Sequence, residues 1–197
     1  MSNTQLTTQW RIQSDAAPRL MEGQSVYAIV EPQLWSDWKT ALSTHIEPLD
    51  ARPLMAGTRL SHLPNGPVFI PLNNSQEALQ ACVDAMSISP CGCVVWSPNT
   101  IATEAVATSL RQRLFMPTGG SETLFRYYEP RALLPLMAAL SDDARQALFP
   151  LLSRLQWHDS TWMSVSLNAP VTPAQPIEPW TLSQEQLSTM QSIAQQW

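Results

Sequence analysis

Two cysteines separated by one glycine are the residues whose types and spacing first suggest chemistry. Cys91 and Cys93 could supply two thiolate ligands to a zinc ion, with His45, His62 or His158 completing the site. Their spacing is not that of structural zinc motifs, and Cys93 lies in a predicted buried strand, where a cysteine is usually a small inert apolar residue. We therefore expect no metal site, and an odd total of three cysteines predicts no disulfide framework.

Signatures of nucleotide binding and hydrolysis are missing from the sequence. The six glycines form no phosphate-binding loop, and no serine lies in a Gly-x-Ser-x-Gly elbow. Asp142 and Asp143 are explained as first-turn charges of a helix, and Glu104 as a solvated helix position. We expect a protein that is not an enzyme and needs no cofactor. The alternative is an α/β domain that binds or turns over a small molecule with Cys91, Cys93 and a histidine, because catalytic groups assemble in space.

The most distinctive run combines arginines, tyrosines and a carboxylate in Phe125-Arg-Tyr-Tyr-Glu-Pro-Arg131. Alternation along a strand would bury Tyr127 and turn Arg126 and Tyr128 to the other side. Exposed arginines beside tyrosines are typical anchors of protein interfaces. We predict that four side chains of this run bind a partner protein: Arg126, Tyr128, Glu129 and Arg131. The alternative is internal, with Glu129 pairing to an arginine and holding the strand-to-helix junction together.

The composition indicates a folded, acidic protein. With 44% hydrophobic and only 14% charged residues, a chain of 197 residues can bury a sizeable core. A net charge of −5 argues against nucleic acid or an anionic membrane as a partner, because both attract clustered basic residues. The first ten residues do not have the pattern of a secretory signal, and the longest apolar stretch, residues 132–140, is too short to span a bilayer. These features predict a cytoplasmic protein.

Short apolar stretches alternate with helical patterns along most of the chain. Strands are predicted at 25–31, 68–72, 93–96, 124–128 and 161–167, and helices at 33–44, after Ser75, after Asn99, at 131–140 and at 142–155. Such alternation is typical of an α/β sheet with helices packed on it. We therefore predict one α/β domain over residues 1–167, whose central, mostly parallel sheet of about four to five strands has flanking helices.

The composition changes after residue 167. Four prolines fall on every third residue: Pro170, Pro173, Pro176 and Pro179. This period is that of a polyproline II helix, which predicts a proline-rich linker over residues 168–180, with a strap lying against the domain as the alternative.

Residues 181–197 are predicted to form a C-terminal amphipathic helix. Its apolar stripe consists of Leu187, Met190, Ala194 and Trp197. Because so short a helix is marginal alone in water, it must dock either on its own domain or on a partner. If it docks on a partner, the predicted partner-binding residues of this region are Trp180, Leu187, Met190 and Trp197.

The run at 125–131 resembles the Phe-Arg-Phe/Tyr-Tyr-Asp-Pro-Arg signature of the type VI secretion effector-adaptor family, first catalogued as a domain of unknown function. Other segments are similar to family motifs in the same order: Val-Tyr-Ala-Ile-Val at 26–30, Leu-Pro-Asn-Gly-Pro-Val-Phe-Ile-Pro-Leu at 63–72, Cys-Gly-Cys-Val-Val-Trp-Ser at 91–97 and Leu-Arg-Gln-Arg-Leu at 110–114. The resemblance covers roughly residues 25–152, with an echo at 182–187. Two positions depart from it: Ser109 stands where the family has histidine, and Glu129 replaces aspartate.

The resemblance implies a chaperone-like adaptor with no chemistry of its own. Such a protein binds a secreted effector in the cytoplasm, commonly near the effector's amino terminus. It then loads the effector onto the VgrG spike or its PAAR tip protein and remains behind in the donor cell.

Overall fold

The computed structural model describes residues 11–118, 121–168 and 180–196. The strands in these ranges are β1 (Gln13–Ser14), β2 (Gln24–Val30), β3 (Arg52–Pro53), β4 (Val68–Pro71), β5 (Gly92–Pro98), β6 (Phe115–Thr118), β7 (Ser121–Leu124), β8 (Arg154–Asp159) and β9 (Thr161–Ser166). The helices are α1 (Trp38–Ser43), α2 (Gln76–Ile88), α3 (Thr103–Gln112), α4 (Pro130–Ala139), α5 (Asp142–Leu148) and α6 (Gln184–Gln196). None of these helices is long and apolar enough to cross a membrane.

A seven-stranded sheet with the order β1-β9-β8-β5-β2-β4-β3 forms the centre of the fold, and β6 pairs with β7 in a separate hairpin. Every strand pair is antiparallel. The longest ladder joins β2 to β5, from Gln24 opposite Pro98 to Val30 opposite Gly92. The prediction of a mostly parallel sheet of four to five strands is therefore wrong.

The error has a topological cause. The helix-connected strands β4 and β5 do run in the same direction, but β2 lies between them and is antiparallel to both. Alternation of strands and helices along a chain does not determine which strands become neighbours. The predicted helix at 142–155 also ends early, because α5 stops at Leu148 and β8 begins at Arg154.

Helices cover both faces of the sheet and enclose two cores. On β2, Val26, Ala28 and Val30 pack in the core that also contains side chains of α1 and α2. Tyr27 and Ile29 pack in the opposite core, with side chains of α3 to α6. A strand buried on both faces is a continuous apolar run in the sequence, as strands of parallel sheets are. The sequence pattern therefore could not separate the two kinds of sheet.

Several predicted helix starts are confirmed by the backbone. Ser75 and Ser141 are N-caps whose hydroxyl oxygens accept hydrogen bonds from the backbone N–H groups of Ala78 and Ala144, at 3.1 and 3.2 Å. Pro130 occupies the first turn of α4. These features depend on nearby residues alone, which is why the sequence predicts them well.

Two buried arginines stabilise helix ends. Arg113 donates to the carbonyl oxygens of Ala147 and Leu148 at the end of α5, at 2.9 and 3.1 Å. Arg145 donates from Nε to the carbonyl of Met137 near the end of α4, at 2.8 Å. Cations at helix C-termini satisfy the last carbonyl groups. Both arginines are therefore structural.

Candidate partner-binding surface

The segment between β7 and α4 contains the distinctive run of the sequence. We call residues 125–131, together with Glu31, the Arg126 junction. The backbone N–H of Phe125 donates to the carbonyl of Leu114 at 2.7 Å, and that of Glu129 donates to the carbonyl of Arg126 at 3.1 Å. The segment is a turn after the β6–β7 hairpin and not the predicted strand.

Both tyrosines of the junction are buried. The Tyr127 hydroxyl donates to the carbonyl of Leu110 at 2.8 Å, and its ring packs edge-on against Phe149. Tyr128 is only 2% exposed and packs edge-on against Tyr127. Burial raises the pKa of Tyr128, and the positive charge of Arg126 opposes this effect. The expectation that Tyr128 faces outward is wrong, because strand alternation does not hold in a turn.

Arg126 is exposed, with 42% of its side chain accessible. Its Nη2 donates to both carboxylate oxygens of Glu31 at 2.7 Å, and Glu31 is only 14% exposed at the end of β2. A weaker pair joins its Nε to Glu129 Oε2 at 3.6 Å. The internal pairing with Glu129 therefore exists, but the main partner is a carboxylate 95 residues away, which the sequence did not indicate.

Glu129 precedes α4 as its N-cap, but its side chain makes no capping hydrogen bond. Its backbone carbonyl accepts from the N–H groups of Ala132 and Leu133, at 3.0 and 3.1 Å. The longer side chain of glutamate, compared with the family's aspartate, instead points to Arg126. The capping role is thus carried by the backbone alone.

Arg131 has a different environment from Arg126. It is exposed and lines a cleft of about 260 Å³ together with Ile88, His158 and Asp159. Its guanidinium makes no hydrogen bond or ion pair with any residue in the described ranges. Of the four predicted partner-binding residues of the run, Arg131 is the one whose charged group is most available to another molecule.

The C-terminal helix α6 packs on α4 of its own chain. Ile193 is buried, and Met190 and Leu182 are partly buried against the same core. Trp180 stacks on Phe125 of the Arg126 junction, with ring centroids 5.5 Å apart. This arrangement favours self-docking over a detached helix that binds a partner.

The inner face of α6 differs from the predicted stripe. Ala194 is exposed and Leu187 is half-buried, whereas Ile193, which the prediction left out, is buried. The predicted stripe therefore holds at Met190, and Ile193 takes the place predicted for Ala194. Trp197 and most of the predicted linker, residues 169–179, lie outside the described residues, so their predicted roles stay predictions.

The three cysteines have the properties of core residues. Cys82, Cys91 and Cys93 are free thiols and all are buried. Burial raises the pKa of Cys91 to about 11 and raises those of Cys82 and Cys93 further. Thiols with raised pKa values are poor nucleophiles, because the thiolate is the reactive form.

The histidines do not complete a site with these thiols. His45 and His62 are exposed, and His158 packs edge-on against Trp162. Across the described residues, no three side chains of the metal-binding types come together. The alternative of a small-molecule site built from Cys91, Cys93 and a histidine thus has no geometric support in the described residues.

Comparison with known families gives one match. The sequence model of a family described as Domain of unknown function (DUF4123) matches residues 26–147, from β2 to α5. No curated protein and no solved structure matches the chain. The matched range covers more than half of the chain and includes the 125–131 run, so this protein belongs to the DUF4123 family.

Proposed function

We propose that this protein is a non-enzymatic adaptor that binds a type VI secretion effector in the cytoplasm and loads it onto the VgrG spike or its PAAR tip protein. The observation that carries the proposal is membership in the DUF4123 family over residues 26–147. The segments that resemble the effector-adaptor family, from residue 26 to the 125–131 run, lie within this range.

The properties of the described residues support binding in preference to catalysis. The thiols are buried with raised pKa values, which leaves them poorly suited to nucleophilic attack. Arg131, by contrast, presents an exposed guanidinium at a cleft, and arginine is among the residues that anchor interfaces most strongly. An adaptor needs such surfaces and needs no reactive group.

The adaptor would act by coupled binding. One surface captures the effector, another engages the spike or its tip, and release of the loaded effector leaves the adaptor in the donor cell. The partner-binding residues predicted from the sequence remain predictions within this scheme, and Arg126 and Arg131 are the exposed ones in the 125–131 run.

Affinity purification of the tagged chain from its native cell tests the proposal, with identification of the co-eluting proteins by mass spectrometry. We expect a secreted effector and VgrG or a PAAR protein to co-elute, and we expect an unrelated acidic protein carrying the same tag to retain neither. Purifications that return neither an effector nor a spike component would contradict the proposal.

A further inference from the structure

A wide groove opens beside the edge of the sheet at β3. Its volume is about 720 Å³, compared with about 260 Å³ for the cleft at Arg131 and about 130 Å³ for a cleft at Arg154. The lining residues come from the segments 32–39, 51–57 and 61–68, which we call together the Lys39 groove. A groove of this size accommodates several side chains of a partner.

The walls of the Lys39 groove are mainly apolar. The apolar lining residues include Pro32, Trp38, Pro53, Met55, Leu63 and Pro64. Leu63 is 43% exposed, and among the large apolar side chains of the described residues only Leu34 and Ile88 are more exposed. Pro53, Ala56, Leu63 and Pro64 are exposed, and exposed apolar residues grouped in a concave surface are typical of an interaction site.

The loop that forms one wall is held in shape by its own backbone. Leu54 N–H donates to the carbonyl of Pro67 at 2.9 Å and joins the two ends of the loop. Successive turns follow, with hydrogen bonds from Thr58 to Met55 and from Leu63 to Leu60 at 3.1 and 3.0 Å. Leu54 and Met55 are buried, so the loop is anchored in the protein. The groove is therefore present before a partner binds.

A single charged side chain lines the groove. Lys39 is exposed, is the only lysine of the sequence and forms no ion pair with any described residue. Its Nζ lies 5.4 Å from the centroid of the Trp38 ring. A carboxylate on the partner, placed beside apolar side chains, complements this arrangement.

The backbone around the groove disfavours an added β-strand. The edge strand β3 is only two residues long and contains Pro53, which has no N–H group to donate. Pro32 and Pro64 remove two more donors from the walls. A strand that adds to a sheet edge needs such donors, whereas a helix binds through its side chains alone.

We propose that the Lys39 groove docks an amphipathic helix that places apolar side chains against Pro53, Leu63 and Pro64 and a carboxylate at Lys39. The identity of the helix as part of the carried effector rests on the proposed function. The groove thus gives the proposed adaptor a recognition rule: an apolar helical face with an acidic residue beside it.

Selection of binding peptides on the purified full-length protein tests this rule. The probe is a phage-displayed library of random peptides of about 16 residues, long enough to form a short helix. We expect enriched peptides to repeat large apolar residues at helical spacing, to include Asp or Glu and to lack a central proline. No enrichment, or enrichment of peptides without an acidic residue or with a central proline, would overturn the proposal.

Variants assign the binding to the groove. For an enriched peptide, Lys39→Glu and Leu63→Asp should each raise the dissociation constant by about tenfold or more. Ile88→Asp is the matched control, because Ile88 is 88% exposed and does not line the groove, and it should change the constant by less than about twofold. Replacing the acidic residue of the peptide by Lys should restore binding to Lys39→Glu. Equal effects of all three substitutions, or no effect of Lys39→Glu, would contradict the proposal.

The groove proposal and the adaptor proposal can be contradicted separately. If peptides bind the groove but no effector or spike component co-purifies with the protein, the groove proposal holds and the adaptor proposal is contradicted. If an effector or spike component co-purifies but no peptide binds the groove, the adaptor proposal holds and the groove proposal is contradicted.

Discussion

The Arg126 junction and the Lys39 groove differ in how well a distinctive sequence indicates an accessible binding surface. The junction contains the most distinctive run of the chain, yet its two tyrosines are buried and Arg126 is paired with Glu31. The groove includes only part of one segment that resembles the family, residues 63–68, yet it presents exposed apolar side chains and a lysine that forms no ion pair with any described residue. The comparison shows that a distinctive run can reflect a packing requirement, while a surface suited to binding is formed by segments that are separate in the sequence.

The largest expected effect is the loss of stability on replacing Tyr127, which tests this comparison. Tyr127→Ala removes a buried ring and its hydrogen bond to Leu110, so we expect the free energy of unfolding to fall by about 3–5 kcal/mol. The matched change in the groove, Leu63→Ala, should cost under about 0.5 kcal/mol because that side chain is exposed. Chemical denaturation measures both. Similar losses for the two variants would remove the distinction between the regions.

The next effect concerns the helix that packs beside the junction. Ile193→Ala should lower the free energy of unfolding by about 2–4 kcal/mol, because Ile193 is buried between α6 and the core. Leu187→Ala is the control on the same helix and should cost under about 1 kcal/mol, since Leu187 is only half-buried. Thermal or chemical unfolding of the two variants decides whether α6 docks on its own domain or on a partner. Negligible losses for both would mean that α6 does not depend on its own domain.

A smaller effect separates the two arginines. Arg126→Ala leaves the mostly buried carboxylate of Glu31 without its partner, so we expect a loss of about 1–2 kcal/mol, reduced by the exposure of Arg126. Arg131→Ala should change stability by under about 0.5 kcal/mol and should weaken effector capture instead.

A double-mutant cycle checks the pairing of Arg126 with Glu31. The losses from Arg126→Ala and Glu31→Gln should not add, because both remove the same ion pair. Additive losses would show that the pair contributes nothing to stability.

The smallest expected effect is the absence of thiol reactivity. Because burial raises the pKa of Cys91 to about 11, its thiol should stay protonated at pH 8 and react only slowly with an alkylating reagent in the folded protein. Reactivity should increase as the pH approaches the raised pKa, and all three cysteines should react at once after denaturation. Rapid alkylation of one thiol at pH 8 in the native state, detected by mass spectrometry, would contradict this expectation and support a reactive cysteine.

The sequence predicted what local residues determine. Apolar runs predict the central residues of β2, β4 and β5. Capping chemistry predicts the N-caps at Ser75 and Ser141. The antiparallel order did not follow, because it depends on β2 lying between β4 and β5.

Long-range contacts limited the prediction of the candidate sites in the same way. The pair of Arg126 with Glu31 joins residues 95 positions apart, and the Lys39 groove needs three separate segments to meet. The burial of Ile193 in place of Ala194 depends on how α6 lies on α4, which the pattern of a short helix does not fix.

The most direct test of the proposed adaptor role is to measure the proteins that the native cell secretes with and without this chain. Deletion should remove one type VI effector from the secreted proteins while the remaining components of the secretion machine are still released, and wild-type protein supplied in trans should restore that effector. An unchanged set of secreted proteins, or the loss of every type VI component at once, would contradict an adaptor that loads a particular effector.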